Sequence, residues 1–196
     1  THNPLIPLAH QKEIIDTGIK YYNDNNYLGR LIACCGSGKT LIGYWIFNGL
    51  NYNTCIIFVP SLELLSQTFY EWKREYKANN INSKFLLIGS QMMDKIEDYK
   101  NDFDITTSQT DIDKFITTKS NKKRIIISTY QSSDILIKSF IDNKIKYDFT
   151  IYDEAHHTCQ SSDKQMYSKT IITNISNKKL FMTATEKILN CTVANM

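Results

Sequence analysis

Between the apolar run Tyr27-Leu28-Gly29-Arg30-Leu31-Ile32-Ala33 and the apolar run Leu41-Ile42-Gly43-Tyr44-Trp45-Ile46-Phe47 stands Cys34-Cys35-Gly36-Ser37-Gly38-Lys39-Thr40. The first run reads as a short buried strand and the second as the opening of an apolar helix. A strand–loop–helix junction with two closely spaced glycines suits a phosphate cradle. Gly36 and Gly38 can take backbone angles other residues avoid, letting main-chain N–H groups approach phosphate oxygens. The helix starting near Lys39 adds unpaired N–H groups and a positive dipole end. In such a loop Lys39 would bridge the β- and γ-phosphates and Thr40 would place its hydroxyl on Mg²⁺. The strict pattern has glycine where this chain has Ala33. The plainer reading, a glycine turn before an ordinary helix, rarely brings Gly-Ser-Gly-Lys-Thr between two apolar runs.

Downstream, Tyr147-Asp148-Phe149-Thr150-Ile151-Tyr152 is rich in β-branched and aromatic residues and reads as a strand. It runs into Asp153-Glu154-Ala155-His156. A carboxylate at the C-terminal end of a central parallel strand points into the crevice where α/β sheets bind ligands. Asp153 would hold Mg²⁺ through water, and Glu154 would orient and polarise an attacking water. A solvated acidic strand end is the plain alternative, and the upstream loop argues against it.

Elsewhere strands and helices alternate, the pattern of a parallel sheet covered on both faces. The spacing predicts helices over 11–22, 62–76, 111–117 and 133–140, and strands over 54–59, 84–88, 103–107, 124–129 and 179–182. Leu62, Leu65, Phe69, Trp72 and Tyr76 recur at steps of three and four, a sheet-facing core stripe, and Ser61 can cap their helix. At 196 residues the chain suits one well-buried α/β domain and not two. Apolar content of 42% and aromatic content of 12% exclude a disordered chain. No apolar run approaches a membrane span, and the first residues do not read as a signal peptide. The net charge of +3 permits nucleic-acid binding without arguing for it. The five cysteines, Cys34, Cys35, Cys55, Cys159 and Cys191, show no C-x-x-C pair, which suits a reduced intracellular setting, cytoplasm or nucleus. Abundant asparagine, isoleucine and lysine suggest an AT-rich coding genome, such as that of a virus.

With the segments Pro60-Ser61-Leu62-Glu63-Leu64-Leu65-Ser66-Gln67, Ser128-Thr129-Tyr130-Gln131-Ser132 and Met182-Thr183-Ala184-Thr185 added in their order, the chain resembles the first RecA-like lobe of a superfamily 2 helicase or translocase. The resemblance is to the DEAH-containing branch that includes restriction-enzyme-type helicases. It implies an α/β, RecA-like P-loop NTPase fold, a three-layer sandwich around a mainly parallel sheet. It implies ATP and Mg²⁺ as cofactors, with Thr40 and Asp153 as metal ligands and Lys39, Asp153 and Glu154 as catalytic residues. ATP would be held by Gln11, Ala33, Cys34, Cys35, Gly36, Ser37, Gly38, Lys39 and Thr40, Gln11 standing where the family reads adenine. Nucleic acid, DNA or RNA, would meet Pro60, Ser61, Gly89, Ser90, Thr129 and Gln131. Pro60-Ser61 sits at a strand end and helix start, where N–H groups and a hydroxyl can face phosphate. Thr183 and Thr185 would couple the ATP site to a second lobe. Departures are Glu186, where the family has proline, and Ser37, where threonine is commoner.

In this family the second lobe supplies arginines to the transferring phosphoryl group. Arginine occurs here only at Arg30, Arg74 and Arg124, none of them placed for that role. The expectation is therefore a single ATP-binding domain over 1–196, with the second RecA-like lobe outside this chain. Lys119-Ser120-Asn121-Lys122-Lys123-Arg124 is either a solvated turn or a basic patch. Two other functions stay open. A small-molecule P-loop kinase would lack Gln11 and the Thr183-Ala184-Thr185 segment. A P-loop ATPase that does not unwind, or a non-catalytic nucleotide-binding module, is disfavoured by intact Lys39, Thr40, Asp153 and Glu154.

Overall fold

The computed structural model describes residues 3–34, 36–89, 103–153 and 174–184. Cys35, Ser90, Glu154, Ala155, His156 and Thr185, all expected in the site, lie outside the described residues.

The described chain runs α1 (Ala9–Asn23), β1 (Leu28–Ile32), α2 (Lys39–Gly49), β2 (Thr54–Val59), α3 (Leu62–Ala78), β3 (Ser83–Ile88), β4 (Phe103–Thr106), α4 (Gln109–Thr117), β5 (Lys123–Thr129), a 3₁₀ turn (Tyr130–Ser132), α5 (Ser133–Asp142), β6 (Tyr147–Tyr152) and β7 (Ser176–Thr183). Its strands form one seven-stranded sheet in the order β1-β7-β6-β2-β5-β3-β4. Every pairing is parallel.

Parallel strands covered on both faces read as unbroken apolar runs, and β2 is buried at all six positions. Its side chains alternate between two cores. Cys55, Ile57 and Val59 join the larger core, where Ile15 of α1, Ile42 and Phe47 of α2, and Leu65, Phe69, Trp72 and Tyr76 of α3 meet the sheet. Ile56 and Phe58 join the second core, with Ile112, Phe115 and Ile116 of α4 and Leu136, Ile137 and Phe140 of α5. The strand period of two thus sorts one apolar run into a three-layer sandwich, α1–α3 on one face and α4–α5 on the other.

The expected core stripe of α3 is confirmed in its main members: Leu65, Phe69, Trp72 and Tyr76 are fully or almost fully buried. The expectation of a wholly buried first strand fails. Leu28 and Ile32 are each 42% exposed, because β1 is the edge strand and alternates between covered and open faces. Helix stops account for part of the asparagine content. Asn25, Asn51 and Asn80, just past α1, α2 and α3, hold φ of 67°, 57° and 54°. That left-handed conformation is one that asparagine tolerates better than most residues.

Candidate nucleotide site

β1 ends beside β7, and the parallel pairing continues one residue further: the Ala33 N–H donates to the Thr183 carbonyl at 3.1 Å. Thr183, 2% exposed, thereby anchors the start of the loop through its backbone. The loop then turns, with the Ser37 N–H donating to the Cys34 carbonyl at 3.2 Å. Gly36 and Gly38 both hold φ of +78°, where a side chain is strained. Gly38 is also the N-cap of α2, and its carbonyl accepts from the N–H groups of Leu41 and Ile42, each at 3.0 Å.

Two side chains brace this loop. The Gln11 amide nitrogen donates to the Ser37 carbonyl at 2.9 Å, while its amide oxygen accepts from the Leu8 N–H at 2.9 Å. Gln11 is 7% exposed, so α1 is strapped to the loop by a buried amide. The fit is close: a Cβ on Gly38 would lie 2.7 Å from the Gln11 amide nitrogen. The Lys39 ammonium donates to the carbonyls of Ala33 at 3.1 Å and Cys34 at 3.4 Å, folded back over the loop.

Asp153 arrives from the far side. Its N–H donates to the Phe58 carbonyl at 2.9 Å, so β6 delivers it against the end of β2, and it is 5% exposed. A cavity of ≈ 320 Å³ is lined by Gly36, Gly38, Lys39, Thr40 and Asp153 together with Leu64, Gln67 and Glu71 of α3. Residues 113 positions apart thus face one space: a glycine loop, a cation, a hydroxyl and a carboxylate. Such a set of groups is chemically suited to a phosphate chain with a hard divalent cation. Such a cation is commonly held by one or two carboxylates plus substrate phosphates.

The three α3 residues were not expected in the site. Gln67 donates to the Glu71 carboxylate at 3.0 Å, one turn along the helix. Positions 64, 67 and 71 form a stripe beside the buried one, and that spacing is the signal that marks them. The Trp72 indole N–H also donates to the Thr40 carbonyl at 3.2 Å, tying α3 to the first turn of α2.

The other expected residues are distributed along the strand ends. Ser61 caps α3, its hydroxyl oxygen accepting from the Leu64 N–H at 3.2 Å. Pro60 and Ser61 are half-buried, Gln131 is exposed, and Gly89 and Thr129 are buried. The Thr129 hydroxyl donates to the Ser132 hydroxyl at 3.1 Å. No arginine lines the cavity among the described residues. Arg30 lines an apolar hollow with α1. Arg74 pairs with Glu75 at 3.4 Å. Arg124 donates to the carbonyls of Phe115, Ile116 and Thr118, closing the end of α4. Lys119 and Lys122 of the basic stretch line a separate hollow of ≈ 670 Å³ beside β4 and α4, with Lys84, Asp104 and Asp111.

Comparison with known proteins adds the family. The chain is 28% identical over 180 residues to "Probable helicase A859L" of African swine fever virus (isolate Tick/South Africa/Pretoriuskop Pr4/1996), which covers 91% of this chain and 19% of that protein. The protein of the same name from isolate Tick/Malawi/Lil 20-1/1983 is 29% identical over the same share. The chain therefore spans 19% of the length of these curated relatives. Among solved structures, a nuclease-deletion mutant of the Type ISP restriction-modification enzyme LlaGI, in complex with a DNA substrate mimic, shares the fold at a TM-score of 0.78 and 23% identity, over 94% of this chain and 18% of that one. The ATP-dependent Type ISP enzyme LlaBIII bound to DNA does so at 0.77 and 23%, over 94% of this chain and 13% of that one. The expected RecA-like fold is thus found in both. A family model matches residues 5–188, and on that match the chain belongs to the family described as Type III restriction enzyme, res subunit.

Proposed function

We propose that this chain is the ATP-binding lobe of an ATP-dependent superfamily 2 helicase or translocase acting on nucleic acid. The observation that carries the reading is the cavity that joins Gly36, Gly38, Lys39 and Thr40 to Asp153. Lys39 would exchange its two loop carbonyls for phosphate oxygens, an opposite charge in place of two dipoles. Thr40 and Asp153 would hold Mg²⁺, which supplies charge neutralisation at the phosphates. Glu154, next in sequence to Asp153, would orient the attacking water.

Family membership carries ATP use, and the names of the relatives, helicase and DNA-bound restriction enzyme, support nucleic acid as the partner. The arginines needed at the phosphoryl group would come from a second RecA-like lobe, since the three of this chain lie away from the cavity. Among the described residues no helix is long and apolar enough to cross a membrane. An intracellular setting fits the reading.

ATP hydrolysis by the full-length protein, measured with single- and double-stranded DNA and RNA at matched salt, tests the proposal. Matched salt matters because backbone binding falls steeply as salt rises. Hydrolysis stimulated by at least one nucleic acid is expected. Nucleotide turnover indifferent to all of them, or phosphoryl transfer to a small molecule, would contradict it.

A further inference from the structure

Beyond the site residues expected from the sequence, the geometry points to Tyr130 as a positioning residue that carries the nucleic-acid-bound state of the 129–131 turn to Asp153. This inference rests on the function proposed above.

Tyr130 opens the 3₁₀ turn that follows β5, between buried Thr129 and exposed Gln131. Its own ring turns inward and is 5% exposed. The phenol donates to the Asp153 carbonyl at 3.0 Å, across 23 positions of sequence. The Asp153 N–H is already held by the Phe58 carbonyl at 2.9 Å. The backbone of Asp153 is thus gripped on both sides, by the end of β2 and by the turn after β5. The bond from Tyr130 fixes where the Asp153 carbonyl points, at the strand end that brings Asp153 to the cavity.

The ring is not free to follow the turn alone. Tyr130 stacks on Phe58 at 5.8 Å and 20°. Phe58 stacks on Tyr152 at 5.5 Å and 21°. Tyr152 stacks on Phe181 at 4.6 Å and 7°. Four near-parallel rings therefore cross the α4–α5 face of the sheet, from the turn after β5 through β2 and β6 to β7. Of the strands they join, β5 and β7 end in Thr129 and Thr183, and β2 and β6 run directly into Pro60 and Asp153. Offset stacks add order beyond simple burial. A shift of the turn at exposed Gln131 would move the stack and the Asp153 carbonyl together, because densely packed interiors transmit strain.

A buried tyrosine hydroxyl usually finds a partner, and a purely structural bond would satisfy it equally well. The experiment separates the two. Tyr130→Phe keeps the ring stack and removes the hydroxyl. In the full-length protein we expect the ratio of stimulated to basal ATP hydrolysis to fall about fivefold, the weight of one buried hydrogen bond. The KM for ATP should stay within about twofold. Ile137→Ala, in the same core but off the stack, should lower the unfolding midpoint at least as much and leave the ratio unchanged. A wild-type ratio in folded Tyr130→Phe, or an equal loss of ratio in Ile137→Ala, would overturn the inference. A wild-type enzyme that ignores nucleic acid would overturn the proposed function as well, which keeps the two failures distinct.

Discussion

Two strand–helix junctions lie at the C-terminal end of this parallel sheet and end differently. After β2, the helix α3 is closed by the chain itself: Ser61 accepts from the Leu64 N–H, and Glu63 lies in the first turn. After β1, the helix α2 is capped by Gly38, which has no side chain to offer, and no carboxylate lies in its first turn. One positive helix end is neutralised by its own side chains and the other is not, which suits the phosphate proposed there. The backbone shows the same contrast, since Gly36 and Gly38 both sit at φ +78°, a conformation open to glycine and strained for other residues. Gln11 and Lys39 hold the loop in that shape through its carbonyls.

The strongest way to break the contrast is Lys39→Ala in the full-length protein. Turnover should fall about 10²-fold or more, as expected when a cation at the transferring group is lost. Near-wild-type hydrolysis would show that the loop after β1 is only a turn. The same assay on Glu154→Gln should show a comparable loss, and retained activity there would remove Glu154 from its role.

Trp72→Ala comes next, and its effect is on stability. Trp72 is 1% exposed and bonds the Thr40 carbonyl. Denaturant unfolding should show a loss of about 3–5 kcal/mol. A loss under about 1 kcal/mol would mean that α3 does not clamp α2.

Glycine substitutions sharpen the picture. Gly36→Ala should cost about 1–2 kcal/mol, because left-handed backbone strains any side chain, but its Cβ would meet nothing within 4 Å. Gly38→Ala adds a Cβ 2.7 Å from the Gln11 amide and should also weaken ATP binding. Equal ATP affinity in the two variants would remove Gln11 from the loop's support.

Much of this was legible in the residues. Strands over 54–59 and 147–152 appear with the bounds expected, because each is an unbroken β-branched and aromatic run, closed by Pro60 and by Asp153. β7 starts at Ser176, ahead of the expected 179, and its first residues are too polar to read as a strand. Ser176 is placed there by pairing: its hydroxyl meets that of Thr150 at 2.7 Å, a bond no local pattern announces. The loop and Asp153 were legible because their chemistry is carried by residue type and spacing. The spacing sets Leu64, Gln67 and Glu71 on one stripe of α3, but only tertiary packing brings them to the cavity, as it brings Tyr130 to the Asp153 backbone.

The smallest expected effect concerns a thiol. Cys55 is fully buried on β2, and burial pushes its thiol well above the ordinary range. It should resist thiol reagents in the native protein at pH 8 and react once the chain unfolds. Peptide mapping after labelling checks this, and native labelling at Cys55 would contradict the burial of β2.

The most direct test of the central claim compares the two helix ends by ATP binding. Mg²⁺–ATP titrated into full-length wild type, Lys39→Ala and Ser61→Ala should show affinity lost about tenfold or more in Lys39→Ala, where a charge-assisted contact is removed. Ser61→Ala should lose about 1 kcal/mol of folding stability, the usual weight of a cap, and bind ATP as wild type does. Equal affinity in wild type and Lys39→Ala, or a selective loss in Ser61→Ala, would contradict the assignment of the phosphate site to the loop after β1.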